Sequence, residues 1–319
     1  MIFFASKEKT EDLLYQAMSF MEKGQAKAAI PFFKKIIKQE PKNIDALYNQ
    51  GLALNQLKKY QDAITCFDKV LKIDPEYIAA INNRGIALAE LGNTDDAFEY
   101  YNKAIKINPD YAEGYNNLGN ALFELSEFDK SLHCYKRAVQ LNPGFSDAFN
   151  NLGNVYQKKK DKNKAIESYE SAISLDAKAS KDKPYYNLGN IYREIGDFEK
   201  SINLYKKAIS INPNSVSAYI NLSISLNKNG NLKEAISYCE KATEKDSKNI
   251  TALNNLGEYN QEIGNENLSI AYYKKALELE PENLRSKWLL MNTFPIIYKN
   301  CEQTNYYKKH FDENLKSLE

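Results

Sequence analysis

The chain has 319 residues, 43% hydrophobic and 27% charged, which is enough apolar surface for a large core and excludes a disordered or fibrous chain. Its 43 Lys and Arg against 42 Asp and Glu leave a formal charge of +1, so no bulk charge draws it to nucleic acid or to an anionic membrane surface. No run approaches the roughly 20 apolar residues that span a bilayer, so no membrane partner is expected and the expected compartment is cytoplasmic.

Residues 1–9 form a lead-in, in which Met1-Ile2-Phe3-Phe4-Ala5 is too short for a signal-peptide core and is followed by Lys7, Glu8 and Lys9. From Thr10 onward proline supplies a ruler. Pro41, Pro75, Pro109 and Pro143 recur every 34 residues, and Pro213 and Pro281 lie twice that distance apart. Eight repeats of this length start at Thr10, Ile44, Ile78, Ala112, Ser146, Asp182, Val216 and Ile250, with a two-residue insertion near 177–183. Each predicts two antiparallel helices. Helix A fills roughly the first fourteen positions and ends near a glycine (Gly24, Gly92, Gly196, Gly230 or Gly264) suited to a left-handed turn. Helix B follows and the proline stops it, while Pro184 suits the first turn of a helix A. The first repeat is irregular, with Pro31 inside helix B and Gln16 at a usual leucine site.

Three columns explain how such helices pack. Position 8 is small throughout: Ala17, Gly51, Gly85, Gly119, Gly153, Gly189, Ser223 and Gly257. Position 20 reads Ala29, Ala63, Ala97, Ser131, Ala165, Ser201, Ala235 and Ser269. Position 24 is aromatic in seven repeats (Phe33, Phe67, Tyr101, Tyr135, Tyr169, Tyr205, Tyr273), with Cys239 the exception. Small residues let helix axes approach and a large ring fills the remaining gap, which gives glycine inside a helix its reason. These columns resemble the tetratricopeptide repeat over residues 10–281. The resemblance implies an all-α, right-handed superhelical solenoid whose A helices line a concave groove.

Residues 282–319 are expected to cap that array. Leu284–Phe294 reads as one more helix A, broken by Pro295, and residues 302–318 as a polar helix with Tyr307, Phe311, Leu315 and Leu318 on one face. Trp288 is expected to lie over the last apolar surface; the alternative for this segment is a dimer contact.

Position 6 of helix A is the most informative column: Asn49, Asn83, Asn117, Asn151, Asn187, Asn221 and Asn255. Asparagine is a moderate helix former whose amide competes for backbone hydrogen bonds, so seven consecutive occurrences need a cause. One is recognition, because a primary amide donates and accepts at once and so matches a peptide main chain. The other is structural bonding to helix ends or neighbouring amides. A second row at position 9 (Asn120, Asn154, Asn190) and a third at position 5 (Asn82, Asn116, Asn150) enrich the same face. The column resembles the asparagine ladder in the repeat region of the O-linked N-acetylglucosamine transferases, which implies main-chain peptide binding. No remaining segment is long enough for a glycosyltransferase domain.

Capture of an acidic chaperone tail, another ligand class of the resembling family, needs a Lys-x-x-x-Asn helix followed by Lys-x-x-x-Arg. Position 5 never carries Lys or Arg, and the nearest match, Lys183-x-x-x-Asn187, lacks its partner cation. Position 26 is basic in seven repeats (Lys35, Lys69, Lys103, Arg137, Lys207, Lys241, Lys275) and fits a solvated end of helix B, so no nucleic-acid partner is expected. Cys66, Cys134, Cys239 and Cys301 have no zinc-like spacing and read as apolar thiols, and His133 and His310 lack metal-ligand neighbours. With no phosphate loop, nucleophile elbow or H-E-x-x-H, no cofactor, metal or catalytic residue is assigned. The expected function is a non-catalytic scaffold holding an extended peptide in its groove through the asparagine ladder. Alternatives are a scaffold that self-assembles, by its C-terminal helices or tail-in-groove, and a regulatory or targeting subunit of an enzyme acting in trans.

Overall fold

Every predicted repeat start is the first residue of a helix in this computed structural model, which describes residues 9–176, 180–293 and 309. The described residues form seventeen α-helices in two compact units, Met1–Asp161 and Lys162–Glu319. In the first, helices of type A are α1 (Thr10–Glu22), α3 (Ile44–Gln56), α5 (Ile78–Glu90), α7 (Ala112–Glu124) and α9 (Ser146–Lys158). Their B partners are α2 (Ala26–Gln39), α4 (Tyr60–Ile73), α6 (Thr94–Ile107) and α8 (Phe128–Leu141). The second begins with a B helix, α10 (Lys162–Leu175), and continues with A helices α11 (Asp182–Glu194), α13 (Val216–Lys228), α15 (Ile250–Glu262) and α17 (Leu284–Met291). These alternate with α12 (Phe198–Ile211), α14 (Leu232–Lys245) and α16 (Glu266–Leu279). The chain is therefore all-α and built of paired helix-turn-helix repeats.

The turn between A and B is the same in all eight repeats. Position 15 is left-handed in each: Gly24, Gly92, Gly196, Gly230 and Gly264, but also Lys58, Ser126 and Lys160 at φ of 58 to 61°. The next N–H always returns to the A-helix carbonyl five residues back, as from Asn93 to Leu88 at 2.9 Å and from Glu127 to Leu122 at 2.8 Å. This helix-ending bond holds the left-handed residue in place even where a side chain makes it unfavourable.

Packing within a repeat follows from the small columns. A Cβ added at Gly51, Gly85, Gly119, Gly189 or Gly257 would lie 2.2 to 2.8 Å from the ring of Phe67, Tyr101, Tyr135, Tyr205 or Tyr273 respectively, closer than two carbons can sit. All eight position-20 residues are wholly buried. In the first unit, overlapping apolar clusters run from α1–α3 through α5 to α8, so each helix pair shares its core with the next.

The seventh repeat departs from the pattern in a self-consistent way. Ser223 carries the Cβ that the other repeats lack, so no ring fits at position 24 and Cys239 stands there, its thiol bonded to the Ala252 carbonyl at 3.3 Å. The space is filled from the next A helix by Tyr259, 3% exposed, whose hydroxyl lies 3.4 Å from Ser223 Oγ; α3, α5 and α7 have Ala53, Ala87 and Ala121 at this point. Cys66, Cys134 and Cys239 are free, buried thiols, and burial pushes Cys134 up to about 11 and Cys239 up to about 12, so all three are inert apolar groups.

At the C-terminal end α17 covers α15 and α16, but not through Trp288. That ring is 58% exposed, while Ser286 and Leu289 face inward, because the inward stripe of this helix runs through positions 286, 289 and 293 and leaves 288 outside it. Pro295, Cys301, His310 and, apart from residue 309, the polar helix expected over 302–318 lie outside the described residues. Among the described residues no helix is long and apolar enough to cross a membrane.

The seventh repeat yields a test of this packing. Cys239→Tyr alone is expected to lower stability by about 1–3 kcal/mol through overpacking. Adding Ser223→Gly and Tyr259→Ala, which recreates the arrangement of the other repeats, is expected to recover most of it. Urea unfolding of both variants decides, and an equal loss in single and triple variants would refute the exchange.

Candidate functional site

Consecutive A helices touch each other within both units, α3 with α5, α5 with α7 and α7 with α9, then α11 with α13, α13 with α15 and α15 with α17. Position 6 lies on that seam. Asn83 Nδ2 donates to the Tyr48 hydroxyl at 3.1 Å and to the Ala79 carbonyl at 2.8 Å. Asn117 Nδ2 donates to Asn82 Oδ1 at 2.9 Å, and Asn151 Nδ2 to both Asn116 Oδ1 and Asn120 Oδ1 at 3.0 Å. In the second unit Asn221 Nδ2 donates to the Tyr186 hydroxyl at 3.1 Å and to Asn190 Oδ1 at 2.9 Å. In these four repeats the position-6 amide nitrogen donates to the position-5 or position-9 group of the repeat before it.

Position 9 ties this seam to the core. Asn120 Oδ1 also accepts from the Tyr135 hydroxyl at 2.7 Å, and Asn190 Oδ1 from that of Tyr205 at 2.8 Å. The ring that fills a repeat thus orients the amide that joins it to the next. Asn154 and Asn187 are half-buried and engaged as well. Asn49 donates only along its own helix, to the Asp45 carbonyl at 2.9 Å. Asn255 stands apart: it is 2% exposed and its oxygen accepts from Arg285 of α17 at 3.1 Å. The remaining position-6 asparagines are half-buried.

The acceptor role of Tyr48 and Tyr186 at position 5, and the Tyr–Asn coupling of positions 24 and 9, were not anticipated from the sequence. A signal was present, since Asn120, Asn154 and Asn190 occur only in repeats with a tyrosine at position 24. The third repeat breaks this pairing: it has Tyr101 but Ile86. There a cleft of about 520 Å³ opens between α5, α6 and α7, lined by Ile86, Ala89, Tyr101 and Ala121, with Asn117 and Asn120 on its wall and Glu90 and Glu124 at positions 13 of the two A helices. Burial raises the Tyr101 pKa far above its ordinary value, so the phenol is protonated at any physiological pH.

The position-26 cations are surface groups, as Arg137 illustrates by pairing with Asp110 at 3.2 Å. Among the described residues no group of three potential metal ligands comes together.

The description "Tetratricopeptide repeat" matches residues 44–77, 112–145 and 146–178, again 216–249 and 250–283, and in a further variant 13–43. The related description "TPR repeat" matches 87–126 and 189–230. The chain is a tetratricopeptide-repeat protein. Proteins of this family typically act as protein-interaction scaffolds and are generally non-catalytic. Among curated proteins none matches it. Of solved structures, a chain of the APC/C hetero-tetramer Cut9-Hcn1 is 16% identical at a TM-score of 0.65, over 91% of this chain and 56% of that one. The chain thus spans little more than half of that relative. PilF of Pseudomonas aeruginosa is 18% identical at 0.61, over 67% of this chain and 96% of its own. These two share the tetratricopeptide fold. YrrB, described as a TPR protein with an unusual peptide-binding site, is 25% identical at 0.52, over 59% of this chain and 96% of its own.

The seam predicts unequal roles for two residues of one column. Asn151→Ala strands the oxygen of Asn116, leaves Asn120 with only its bond from Tyr135, and is expected to cost about 1–2 kcal/mol, whereas Asn49→Ala removes only a bond within its own helix and is expected to stay within about 0.5 kcal/mol. Chemical denaturation of the two variants side by side checks this, and equal effects would contradict it.

Proposed function

We propose that this protein is a non-catalytic scaffold that holds an extended segment of another protein along its A-helix face, with the position-6 amide oxygens accepting main-chain N–H groups of that segment. The observation that carries the reading is the direction of the amides. Asn83, Asn151 and Asn221 each have both N–H groups engaged inside the chain, so what they retain for a ligand is the carbonyl oxygen. The ladder that doubles as a structural seam is therefore an acceptor ladder. Helices spaced by about 10 Å and a strand rising about 3.3 Å per residue put one acceptor opposite every third residue of a bound chain.

Asn49, Asn83, Asn117 and Asn151 serve the first unit and Asn187 and Asn221 the second, with Asn120, Asn154 and Asn190 as flanking groups. Asn255, covered by α17, takes no part. Support comes from three sides: the family's usual role, the peptide-binding site named for YrrB, and the resemblance of the column to the ladder of the O-linked N-acetylglucosamine transferases.

Placing the perturbation on the peptide leaves the seam intact during the test. The tightest peptide displayed from a random library against the whole chain is scanned with backbone N-methyl groups, one residue at a time. Losses of about tenfold in affinity are expected at intervals of three residues, as one hydrogen bond is removed each time. Uniform tolerance of N-methylation would overturn the acceptor ladder.

A further inference from the structure

We propose that the cleft between α5, α6 and α7 takes the side chain of a lysine or arginine from the bound segment, so that the first unit prefers a basic extended peptide. This rests on the peptide-holding reading and adds its specificity.

Three observations converge. First, the cleft has the polarity of an aliphatic stem with a cationic end. Ile86, Ala89 and Ala121 supply apolar wall, and Glu90 and Glu124, both exposed, supply two carboxylates. The Tyr60 hydroxyl donates to Glu90 Oε2 at 2.9 Å, which fixes that side chain while leaving its charge in place. Long cationic side chains favour such a site, laying their methylenes on apolar surface while the head stays polar.

Second, the cleft is lined by a largely buried side chain whose polar end has no partner among the described residues. Tyr101 is 3% exposed, and its hydroxyl makes no hydrogen bond among the described residues. The equivalent hydroxyls of Tyr135 and Tyr205 donate to Asn120 and Asn190, but Ile86 occupies the matching place in α5. An ammonium or guanidinium entering the cleft donates an N–H to the phenol oxygen, whose lone pairs no donor occupies among the described residues, and sets its charge beside the carboxylates of Glu90 and Glu124.

Third, the surrounding face has the complementary sign. Positions 2 and 13 of α3 to α9 carry Asp45, Glu113 and Asp147 besides Glu90 and Glu124, against the single cation Lys158. A basic segment is attracted along its length, and an acidic side chain entering the cleft would meet carboxylates with no cation to balance them.

The experiment probes an array of immobilised random peptides of about a dozen residues with the full chain, its Glu90→Gln, Glu124→Gln double variant, and Tyr101→Phe. Wild type is expected to enrich Lys or Arg at one peptide position by about tenfold over Asp or Glu, the size of one charge-assisted contact. The double variant is expected to lose that enrichment while still binding neutral peptides. Tyr101→Phe is expected to reduce it while leaving the Tm unchanged, because the hydroxyl holds nothing in the free chain. A wild type that binds peptides without basic preference, or a double variant with the preference intact, overturns the cationic cleft and leaves the ladder standing. Binding of no peptide by any of the three overturns the ladder and this inference together.

Discussion

In most repeats a ring from helix B lying against the bare backbone of helix A holds the pair together. Tyr135 against Gly119 and Tyr205 against Gly189 leave no room for even one carbon between them. The contact fixes the angle and distance of the two helices, and it delivers a phenol to a fixed point on the A-helix surface. At that point stands an amide, Asn120 or Asn190, which bonds to the phenol and also to the asparagine of the next repeat. Intra-repeat packing and inter-repeat pairing are therefore parts of one network.

That network decides which end of each amide the asparagine column can offer. An amide free to rotate presents either end, but one whose nitrogen is bonded to the neighbouring helix presents its oxygen. In the proposed function, structural and recognition roles, which exclude each other for a simpler side chain, coexist because an amide has two chemically distinct ends. The arrangement also explains why the column tolerates a poor helix former: the bonds between helices offset its cost in each of them. Where the network is interrupted, at Tyr101 and Ile86, the chain turns a phenol toward a cleft rather than toward an amide.

Much of the fold was legible because its causes are local and repeated. A steric requirement that recurs every 34 residues writes the same column eight times, and all eight helix starts follow from it. Even the exception at Cys239 becomes readable once Ser223 and Tyr259 are seen to exchange volume with it. What the columns left open was direction and reach. Asparagine names both a donor and an acceptor, so the column marks a polar seam without saying which end faces outward. The left-handed turns at Lys58, Ser126 and Lys160 had no glycine to announce them, since the return bond of the following residue fixes them instead. Trp288 departs from the expected cap because helical phase places it outside the inward stripe of α17.

The central claim, that the amide hydrogens of the ladder are engaged within the free chain, is open to direct measurement. Side-chain amide exchange in protein labelled with nitrogen-15 at asparagine compares Asn83, Asn151 and Asn221 with the exposed Asn163 of α10. Exchange at the three ladder amides slowed by about tenfold or more, with no ligand present, is the predicted result for hydrogens held in formed bonds. Exchange at the same rate as Asn163 would mean that the nitrogens are free to face a ligand, and would contradict the acceptor ladder.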